Sequence, residues 1–269
     1  MWEDIVLADL RAQGIEVEEV FFGKFRLLSL AEEQLMIHLV SLTAGYDCDE
    51  LVLLQDRYRE SGVHLIQLWE DVWTSRRLQV IGRIRSLLGL NKRIHARKTE
   101  VISIDQNQTD DFMELNHIQG TARAKYRFAL CADNQIVAVA CFSNLRQMKR
   151  DHAVEYRSAE LIRFASLNGY TVTGGFSKLL KYFIVQYQPD DIMSYADRDW
   201  SGGKVYEQAG FKLVSVSSPA TIYVDRKTLA RYFPHRLPVT AGLDVKTGDE
   251  VHHYVKIFNT GNFKYIYYL

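Results

Sequence analysis

The stretch DIMSYADRDWSGGKVYEQAGFKLV, residues 191–214, is the part of the chain that decides the fold. Its apolar first residues predict a strand that ends in Asp197, and a polar loop then leads into a short helix that carries Tyr206. Gly210 follows that helix and suits the position where a left-handed residue ends a helix without a Cβ clash. Phe211 then starts the next strand from an apolar anchor. The stretch therefore predicts a strand, a tyrosine-bearing helix and a second strand.

The residues upstream predict the rest of a mixed sheet. Residues 126–143 contain two apolar runs around Ala132-Asp133-Asn134-Gln135, which is a hairpin signal. Residues 159–166 are a further strand candidate. Gly174 and Gly175 then precede a helical run, so that unpaired backbone N–H groups and the positive end of the helix dipole face outward. This turn is a candidate anion site, although a plain turn is the alternative.

The order of hairpin, strand, glycine turn, helix, strand and tyrosine-bearing helix resembles the GCN5-related N-acetyltransferase (GNAT) superfamily over about residues 100–225. The resemblance implies an α/β (α+β) fold, a GNAT-like mixed central sheet with flanking helices, and acyl-coenzyme A (acetyl-CoA) as the cofactor. In that family the glycine turn holds the pyrophosphate of coenzyme A, and the tyrosine helix lies beside its thiol. The implied cofactor-binding residues are Gly174, Gly175, Phe176, Ser177 and Lys178. The turn departs from the family pattern because its glycines are adjacent and no Arg stands just ahead of them.

Four side chains are candidates for acid–base chemistry. Forming an amide from a thioester needs a free amine, a stabilised oxyanion and a proton for the departing thiolate. Tyr206 is the candidate acid for the thiolate, or a phenol packed at a helix end. Asp197 either takes the acceptor's proton or caps its loop, and Glu160 points to the same cleft or to solvent. His117, at the end of a helix predicted over 109–115, is a base, a ligand or a helix-end cation.

Composition excludes some classes of protein. The chain has 269 residues with 33 basic and 33 acidic side chains, which fits one large domain or two small ones without excluding local charged patches. The three cysteines lack metal-ligand spacing, so we predict no metal site and a reducing cytoplasm. No apolar run approaches the roughly 20 residues of a membrane span, and the first residues lack signal-peptide features. We therefore predict a cytoplasmic protein without membrane contact.

A basic span divides the chain. No acid occurs from Val72 to Thr99, where a helix predicted over 76–88 turns its basic residues away from its apolar face and a basic connector follows. The span is either a solvated face with a linker or a surface that contacts phosphates. Arg163, amid apolar residues, is a candidate for an anion contact or a buried ion pair. The predicted nucleic-acid contacts are Arg83, Arg85, Lys92, Arg93, Arg97, Lys98, Arg163 and Arg198.

We predict three consecutive segments, namely a nuclease-like α/β domain, a GNAT-like domain and a C-terminal extension, over 1–90, 91–225 and 226–269. In the extension, a helix is predicted over 226–233 and a hairpin joins 251–258 to 264–269 around Asn259-Thr260-Gly261-Asn262. His252-His253 is taken as structural. The aromatic residues at the end of the chain either pack on a sheet or stack on bases.

The first segment resembles very-short-patch-repair nucleases of the PD-(D/E)XK class. Two strands over 25–30 and 34–42, a helix over 48–62 and a strand over 63–69 precede the basic helix. The run Gly62–Glu70 carries the resemblance. The strand that should hold the metal, Leu35–Leu42, contains no carboxylate, so that Mg²⁺ has no ligand there. The resemblance therefore implies a degenerate nuclease.

A more specific resemblance is to phage and mobile-element proteins, and distantly to the Mom group that acts on adenine in DNA. It rests on five blocks in the right order, 92–98, 116–120, 160–164, 174–183 and 194–201. The resemblance implies an acyltransferase-like protein that uses acyl-coenzyme A on a nucleic acid base or nucleotide, with nucleic acid as a partner. One alternative is a catalytically inactive nucleic-acid-binding module, and a second is a nuclease-like DNA-processing protein.

Overall fold

A computed structural model describes residues 1–32, 34–150, 153–238 and 253–269. Its contacts divide the chain into two compact units that share the sequence in interleaved pieces. The first unit comprises Met1–Arg77, Asp197–Gly202 and Val216–Asn262, and the second comprises Leu78–Ala196, Gly203–Ser215 and Phe263–Leu269. The predicted division near residues 90 and 225 treats the segments as consecutive, so it differs from these units. Strands that pair far along the chain cause the difference, because pairing partners cannot be seen in local sequence.

The first unit contains a four-stranded sheet in the order β1-β2-β3-β4. The first three strands pair antiparallel, and β3 pairs with β4 in parallel. Every residue of β3 is buried, as expected of a strand covered on both faces. The two strands, the helix and the strand predicted over 25–69 are confirmed. The elements are α1 (Trp2–Ala12), β1 (Glu18–Phe22), β2 (Phe25–Leu30), β3 (Leu35–Val40), α2 (Cys48–Glu60) and β4 (His64–Trp69).

A second, three-stranded sheet in this unit corrects two predictions. Its strands β14 (Thr221–Asp225), β15 (Arg231–Tyr232) and β16 (Tyr254–Phe258) follow the order β15-β14-β16. The helix predicted over 226–233 is wrong: the Asp225 side chain accepts from two following backbone N–H groups, at 2.8 Å each, and this Asx turn reverses the chain.

The predicted C-terminal hairpin is wrong as well. Strand β16 pairs with β14, whereas β17 (Asn262–Tyr268) joins the sheet of the second unit. The three residues between the two strands, Asn259, Thr260 and Gly261, therefore connect two sheets and do not reverse the chain within one. Val251 and His252 lie outside the described residues, and His253 is exposed.

The second unit is built on an eight-stranded sheet. Seven strands follow the order β13-β17-β12-β10-β8-β7-β6, and β9 pairs with β10. Helix α3 (Glu70–Leu87) leads into this unit. The further elements are β5 (Lys92–His95), a 3-10 turn (Ala96–Lys98), β6 (Glu100–Ser103), α4 (Gln106–Asn116), β7 (Tyr126–Ala132), β8 (Gln135–Phe142), β9 (Arg146–Arg150), β10 (Ala153–Ser166), β11 (Tyr170–Thr173), α5 (Gly175–Tyr187), β12 (Asp191–Asp197), α6 (Lys204–Gln208) and β13 (Lys212–Val216).

The predicted order of elements is confirmed from the hairpin to the tyrosine-bearing helix. The hairpin turns at Asp133 and Asn134, whose φ angles of 49° and 60° suit the tight turn that joins two twisted strands. The parallel pair β10 and β12 is joined through β11 and α5. The mixed central sheet with flanking helices, expected from the GNAT-like order, is thus present.

Helices cover both faces of this sheet. Helix α5 packs on one face, where Phe183 stacks on Phe142 with ring centroids 4.1 Å apart. Helix α4 packs on the other face through Phe112 and Met113. Among the residues that the structure describes, no helix combines the length and apolarity needed to span a membrane.

One irregularity in the sheet positions the candidate site. Strands β10 and β12 pair over only four residues, and the last pair is Leu161 with Ser194. Strand β10 then carries a bulge between Leu161 and Arg163, and it continues to Ser166 along β8. Bulges bend a strand and re-aim its side chains. The two parallel strands therefore part at Ser194, and we call this place the fork.

Candidate active site

The hydroxyl of Tyr206 lies at the fork. Ser194 Oγ donates to the carbonyl of Leu161 at 2.8 Å and lies 3.1 Å from Tyr206 Oη. Ser194 is buried, whereas Tyr206 is half-buried. The serine hydroxyl therefore anchors the phenol to the last paired residues of β10 and β12.

The helix that carries Tyr206 is short and held at both ends. Gly203 has a φ of 83°, and a Cβ there would overlap the hydroxyl of Tyr265. Gly210, with a φ of 94°, follows the helix end as predicted. The Tyr206 ring stacks on Tyr265 at 5.1 Å between centroids, and Tyr265 Oη donates to Glu207 Oε1 at 2.9 Å. The phenol thus has a fixed orientation.

Burial and nearby cations act on Tyr206 in opposite directions. Burial raises the pKa of its phenol, while the bond to Ser194 and the charges of Arg83 and Arg163 act to lower it. Because the net pKa change is upward, the phenol keeps its proton at neutral pH. A protonated phenol at this place can serve as a general acid.

Arg163 follows the bulge and interacts with both sides of the sheet. Its Nη1 donates to the carbonyl of Ile162 at 3.0 Å. Its charge acts on Tyr206, on the α5 side, and on Cys141, which belongs to the core on the α4 side. Burial raises the pKa of that thiol to about 12, so Cys141 is inert. The bond to Ile162 therefore holds the guanidinium beside the bulge.

The glycine turn opens α5 as the sequence predicted. Gly174 precedes the helix with a φ of 77°, and no described side chain caps the end. The first-turn N–H groups are therefore available to an anion. Gly175 has a packing role, since a Cβ there would lie 2.9 Å from Val172 Cγ1 and 3.2 Å from Leu130 Cδ1.

Lys178 does not fill the role predicted for it. Its ammonium donates to the carbonyls of Ala96, at 2.9 Å, and Thr99. It is therefore committed to fastening the 3-10 turn and is not free for a pyrophosphate. Parallel pairing of β5 with β11 brings the same turn to the helix start, where a Cβ at Gly174 would lie 3.7 Å from Ala96 Cβ. Local sequence signals do not predict this pairing.

The turn carries two cations to the start of α5. Arg97 and Lys98 are exposed, and no described carboxylate pairs with either. The sequence assigned these two residues to nucleic acid. Their place beside Gly174 adds positive side chains to a helix start whose own Lys178 is already bound to carbonyl groups.

Phe176 belongs to an aromatic cluster. Its ring lies 5.2 Å from Phe164 and 5.7 Å from Tyr206, both edge to face. Only its backbone N–H remains for the predicted cofactor contact. Ser177 is half-buried in the same first turn. Through this cluster the start of α5 packs against the helix that carries Tyr206, so the two parts of the candidate site are in direct packing contact.

The other predicted catalytic residues have structural contacts. Asp197 belongs to the first unit, where its side chain accepts from the Asp199 N–H at 3.0 Å and caps its loop. Glu160 alternates with Ala159 and Leu161, whose side chains lie in the α5-side core. The Glu160 side chain is therefore on the face opposite Tyr206, contrary to the shared cleft considered for it.

His117 is the residue that follows α4, and its side chain forms a hydrogen bond within the turn after the helix. Its Nδ1 accepts from the Gln119 N–H at 3.1 Å. In the neutral ring the proton is then on Nε2, so that neither ring nitrogen is ready to accept a proton from a substrate. This geometry favours the structural alternative for His117.

The predicted phosphate contacts fall into three groups. Arg198 is buried and pairs with Asp56 at 2.5 Å, which does not fit a nucleic-acid contact. Arg85 is half-buried and donates to the Leu90 carbonyl, and Arg83 and Arg163 act on Tyr206. Four side chains are exposed without an ion pair to a described carboxylate: Lys92, Arg93, Arg97 and Lys98.

The first unit has a polar interior that the sequence did not reveal. Arg231 holds the buried Asp71 with two bonds of 2.6 and 2.9 Å. Asp199 Oδ1 accepts from the N–H and hydroxyl of Thr260 at 3.0 and 2.6 Å. Burial, and next the charge of Asp197, raise the pKa of Asp199 to about 7. The partners in each pair come from distant segments, which is why the sequence could not show them.

His38 is a further buried polar group of the first unit. Its Nδ1 lies 2.6 Å from Gln67 Oε1, and burial lowers its pKa to about 4. Within the described residues, the only close group of three potential metal ligands is Asp47, Cys48 and Asp49, at the N-terminus of α2. There, Asp47 serves as the helix cap.

Comparisons with known proteins identify structures and no sequence family. No family model matches the chain, and no curated protein matches it. A GNAT family acetyltransferase from Elizabethkingia anophelis with acetyl-CoA bound has 10% identity and a TM-score of 0.36, covering 64% of this chain and 99% of that one. Naa50 from Arabidopsis thaliana, in complex with a bisubstrate analogue, has 10% identity and a TM-score of 0.38 over 64% and 99%.

A third similar structure is the SpeG spermidine N-acetyltransferase from Vibrio cholerae. It has 9% identity and a TM-score of 0.40, and the match covers 64% of this chain and 94% of that one. With TM-scores this low, none of these similarities determines what this chain acts on. Function is therefore inferred from the residues of the site itself.

Proposed function

We propose that the chain is an N-acyltransferase that uses acyl-coenzyme A and acts on a nucleic acid base or a nucleotide. The observation that carries the proposal is one connected arrangement in the second unit. The open start of α5 and the protonated Tyr206 at the fork are linked through Phe176. An anion-binding helix start and a general acid are the two elements that acyl transfer from a nucleotide thioester requires.

The residues divide the work as follows. The first-turn N–H groups of Gly175, Phe176 and Ser177 hold the pyrophosphate, and the charges of Arg97 and Lys98 support them. Coenzyme A, when bound, supplies the acyl group as a thioester. The acceptor nitrogen forms the new bond to the acyl carbon as the carbon–sulfur bond breaks. Tyr206 donates its proton to the departing sulfur, and the proton that the acceptor nitrogen releases returns the phenol to its neutral form by way of solvent.

The wider setting is part of the same proposal. Phage or mobile-element origin, a cytoplasmic location and a degenerate nuclease-like first segment come from the sequence resemblance. Exposed Lys92 and Arg93 support a nucleic acid partner, because unpaired surface cations are suited to phosphate contacts. Asp197 as the acceptor's base stays a prediction.

A second candidate function has its own support. Phe164 packs against Phe176, Phe176 packs against Tyr206, and Lys178 is engaged with carbonyl groups. Side chains that fill the neighbourhood of the glycine turn in this way favour a catalytically inactive module that binds nucleic acid. The exposed cations serve that function equally well.

Titration calorimetry with acetyl-coenzyme A separates the two candidates. We expect one binding site on the full chain, with affinity lowered by the double change Arg97→Ala and Lys98→Ala. Lys227→Ala, an exposed cation of the first unit, is the matched control and should leave the affinity unchanged. Mass spectrometry of nucleotides and DNA incubated with the protein then tests acetyl transfer. No heat at millimolar ligand would favour the inactive module.

A further inference from the structure

The hydroxyl of Ser194 has two oxygen neighbours and a single proton. The carbonyl oxygen of Leu161 lies 2.8 Å from Ser194 Oγ, and Tyr206 Oη lies 3.1 Å from it. A serine hydroxyl donates once and accepts twice, whereas a carbonyl oxygen can only accept. The serine proton therefore lies on the Leu161 side when the phenol is neutral. Tyr206 is then the donor in the other bond, and Ser194 accepts from it.

This chain of hydrogen bonds is fixed at both ends. Leu161 and Ser194 are the last pair between β10 and β12. The Tyr206 ring is stacked on Tyr265, with centroids 5.1 Å apart, and meets Phe176 edge to face. Ser194 is 1% exposed, so bulk water does not compete for its hydroxyl. Neither oxygen neighbour can move away from the serine without disturbing the packing around it.

Loss of the phenol proton reverses the direction of the chain. A phenolate can only accept, and rotation about the serine Cβ–Oγ bond turns the Ser194 proton from the Leu161 carbonyl to Tyr206 Oη. A hydrogen bond to an ionised oxygen is roughly twice as strong as one to a neutral oxygen, so the turned arrangement is favoured. Among the described residues, no other group is hydrogen-bonded to the Tyr206 hydroxyl. Ser194 is therefore the donor that the phenolate has.

We propose that Ser194 is the positioning residue for proton transfer at Tyr206: its hydroxyl accepts from the neutral phenol and donates to the phenolate that forms as the thiol leaves. The proposal rests on the proposed function. The O–H bond of Tyr206 breaks as an S–H bond forms, while Ser194 keeps its own proton and changes only its hydrogen-bond acceptor. When the proton released by the acceptor nitrogen reaches the phenolate through solvent, Ser194 turns back to Leu161.

Fluorine NMR of the full chain, labelled with 3-fluorotyrosine, tests this exchange without any substrate. The resonance that disappears in Tyr206→Phe is assigned to Tyr206, and its chemical shift is followed against pH. In Ser194→Ala we expect the titration midpoint of this resonance to rise by about one pH unit, the contribution of one hydrogen bond to a charged group. Ser194→Cys is nearly the same size and donates weakly, so it should show a smaller rise.

Ser143→Ala is the matched control. Ser143 is also buried, and its hydroxyl donates to the Asn144 carbonyl at 2.8 Å and accepts from the Glu160 N–H at 2.9 Å. This change removes a buried serine hydroxyl that does not touch the phenol, so the Tyr206 midpoint should stay at its wild-type value. Circular dichroism checks that each variant folds, and Ser194→Cys carries the test if Ser194→Ala does not. An unchanged midpoint in the folded Ser194 variants, or an equal rise in Ser143→Ala, would overturn the proposal.

The rate of acetyl transfer distinguishes this proposal from the proposed function. In Ser194→Ala we expect kcat to fall by about 10-fold with KM nearly unchanged, because the bond to Tyr206 strengthens only as the phenolate forms. If the wild type transfers no acetyl group but the Tyr206 midpoint depends on Ser194, the acyltransferase function is wrong while the exchange of hydrogen bonds stands. If transfer occurs and neither kcat nor the midpoint depends on Ser194, the role of Ser194 alone is wrong.

Discussion

The two compact units differ in one respect: a half-buried charge of the second unit has no paired acid among the described residues. In the first unit the buried charged and polar side chains have partners inside the unit: Asp71 with Arg231, Arg198 with Asp56, Asp199 with Thr260 and His38 with Gln67. In the second unit Arg83 is half-buried with no described acid paired to it, and its charge acts on Tyr206.

This difference distinguishes buried charges that stabilise the fold from a buried charge that is suited to binding a ligand. A buried charge that is paired holds distant segments together, and breaking the pair damages the fold. A desolvated cation without an acid costs free energy in the absence of a ligand, and it can regain that energy when an anion binds. Changes in the first unit should therefore alter stability, whereas changes at the fork should alter ligand binding and rate.

The largest expected effect is on catalysis at the fork. Tyr206→Phe keeps the ring stacked on Tyr265 and deletes the proton, so acetyl transfer should slow by roughly 10²–10⁴-fold. Stability and acetyl-coenzyme A affinity should stay close to wild type. Single-turnover rates and calorimetry measure the two quantities. Unchanged transfer in Tyr206→Phe would show that another group protonates the thiolate.

The next effect is on stability in the first unit. Asp71→Ala leaves the guanidinium of Arg231 without its carboxylate, so the free energy of unfolding should fall by about 3–5 kcal/mol. Asp4→Ala breaks an exposed ion pair with Arg26 and should cost far less. Urea unfolding followed by circular dichroism measures both. Equal losses in the two variants would contradict the structural role of the buried pair.

A smaller effect concerns the pH dependence of stability. The pKa of Asp199 is about 7 in the folded protein, above its ordinary value, so its contribution is full below about pH 4 and is lost as the pH rises through 7. His38 acts in the opposite sense: its folded pKa of about 4 lies below the ordinary value, and its contribution is lost as the pH falls from about 6.5.

A difference measurement isolates Asp199 from His38. Asp199→Asn keeps the shape and removes the titration, so its stability relative to wild type should rise by a few kcal/mol between about pH 4 and pH 7. Urea unfolding at several pH values gives this difference. A difference that does not change with pH would show that Asp199 ionises normally in the folded protein.

The smallest effect is on nucleic acid binding. Arg93→Ala and Arg97→Ala should each flatten the slope of log affinity against log salt by roughly one unit, because each removes one phosphate contact. Lys227→Ala in the first unit is the control with no change in slope. Fluorescence anisotropy with a labelled DNA measures the slope. Binding that does not depend on salt would remove the phosphate contacts from the account.

The order of elements was predictable from sequence because it depends on local signals. Asp133 and Asn134 indicate a hairpin, and Gly210 indicates the end of a helix. Each of these positions has a positive φ, which few residue types adopt easily. Tyr206 was found in the same way, from its place just before that glycine.

Pairing across distance was not predictable. The 3-10 turn Ala96–Lys98 lies at the start of α5 only because β5 pairs with β11, some 80 residues later in the chain. The same limit explains the error at the C-terminus, where β16 and β17 alternate like a hairpin but pair in different sheets. The rotation of α3 could not be read from the helix alone: Asn168 Nδ2 donates to the Leu78 carbonyl, and Arg83, predicted on an outward basic face, is half-buried.

Hydrogen exchange with and without acetyl-coenzyme A tests the contrast between the units most directly. We expect slower amide exchange in peptides that cover the 3-10 turn at 96–98 and the start of α5 at 174–178. We expect no change in β4 or in the 197–202 loop of the first unit, whose buried groups are already paired. Unchanged exchange at the start of α5, or protection confined to the first unit, would contradict binding at the start of α5.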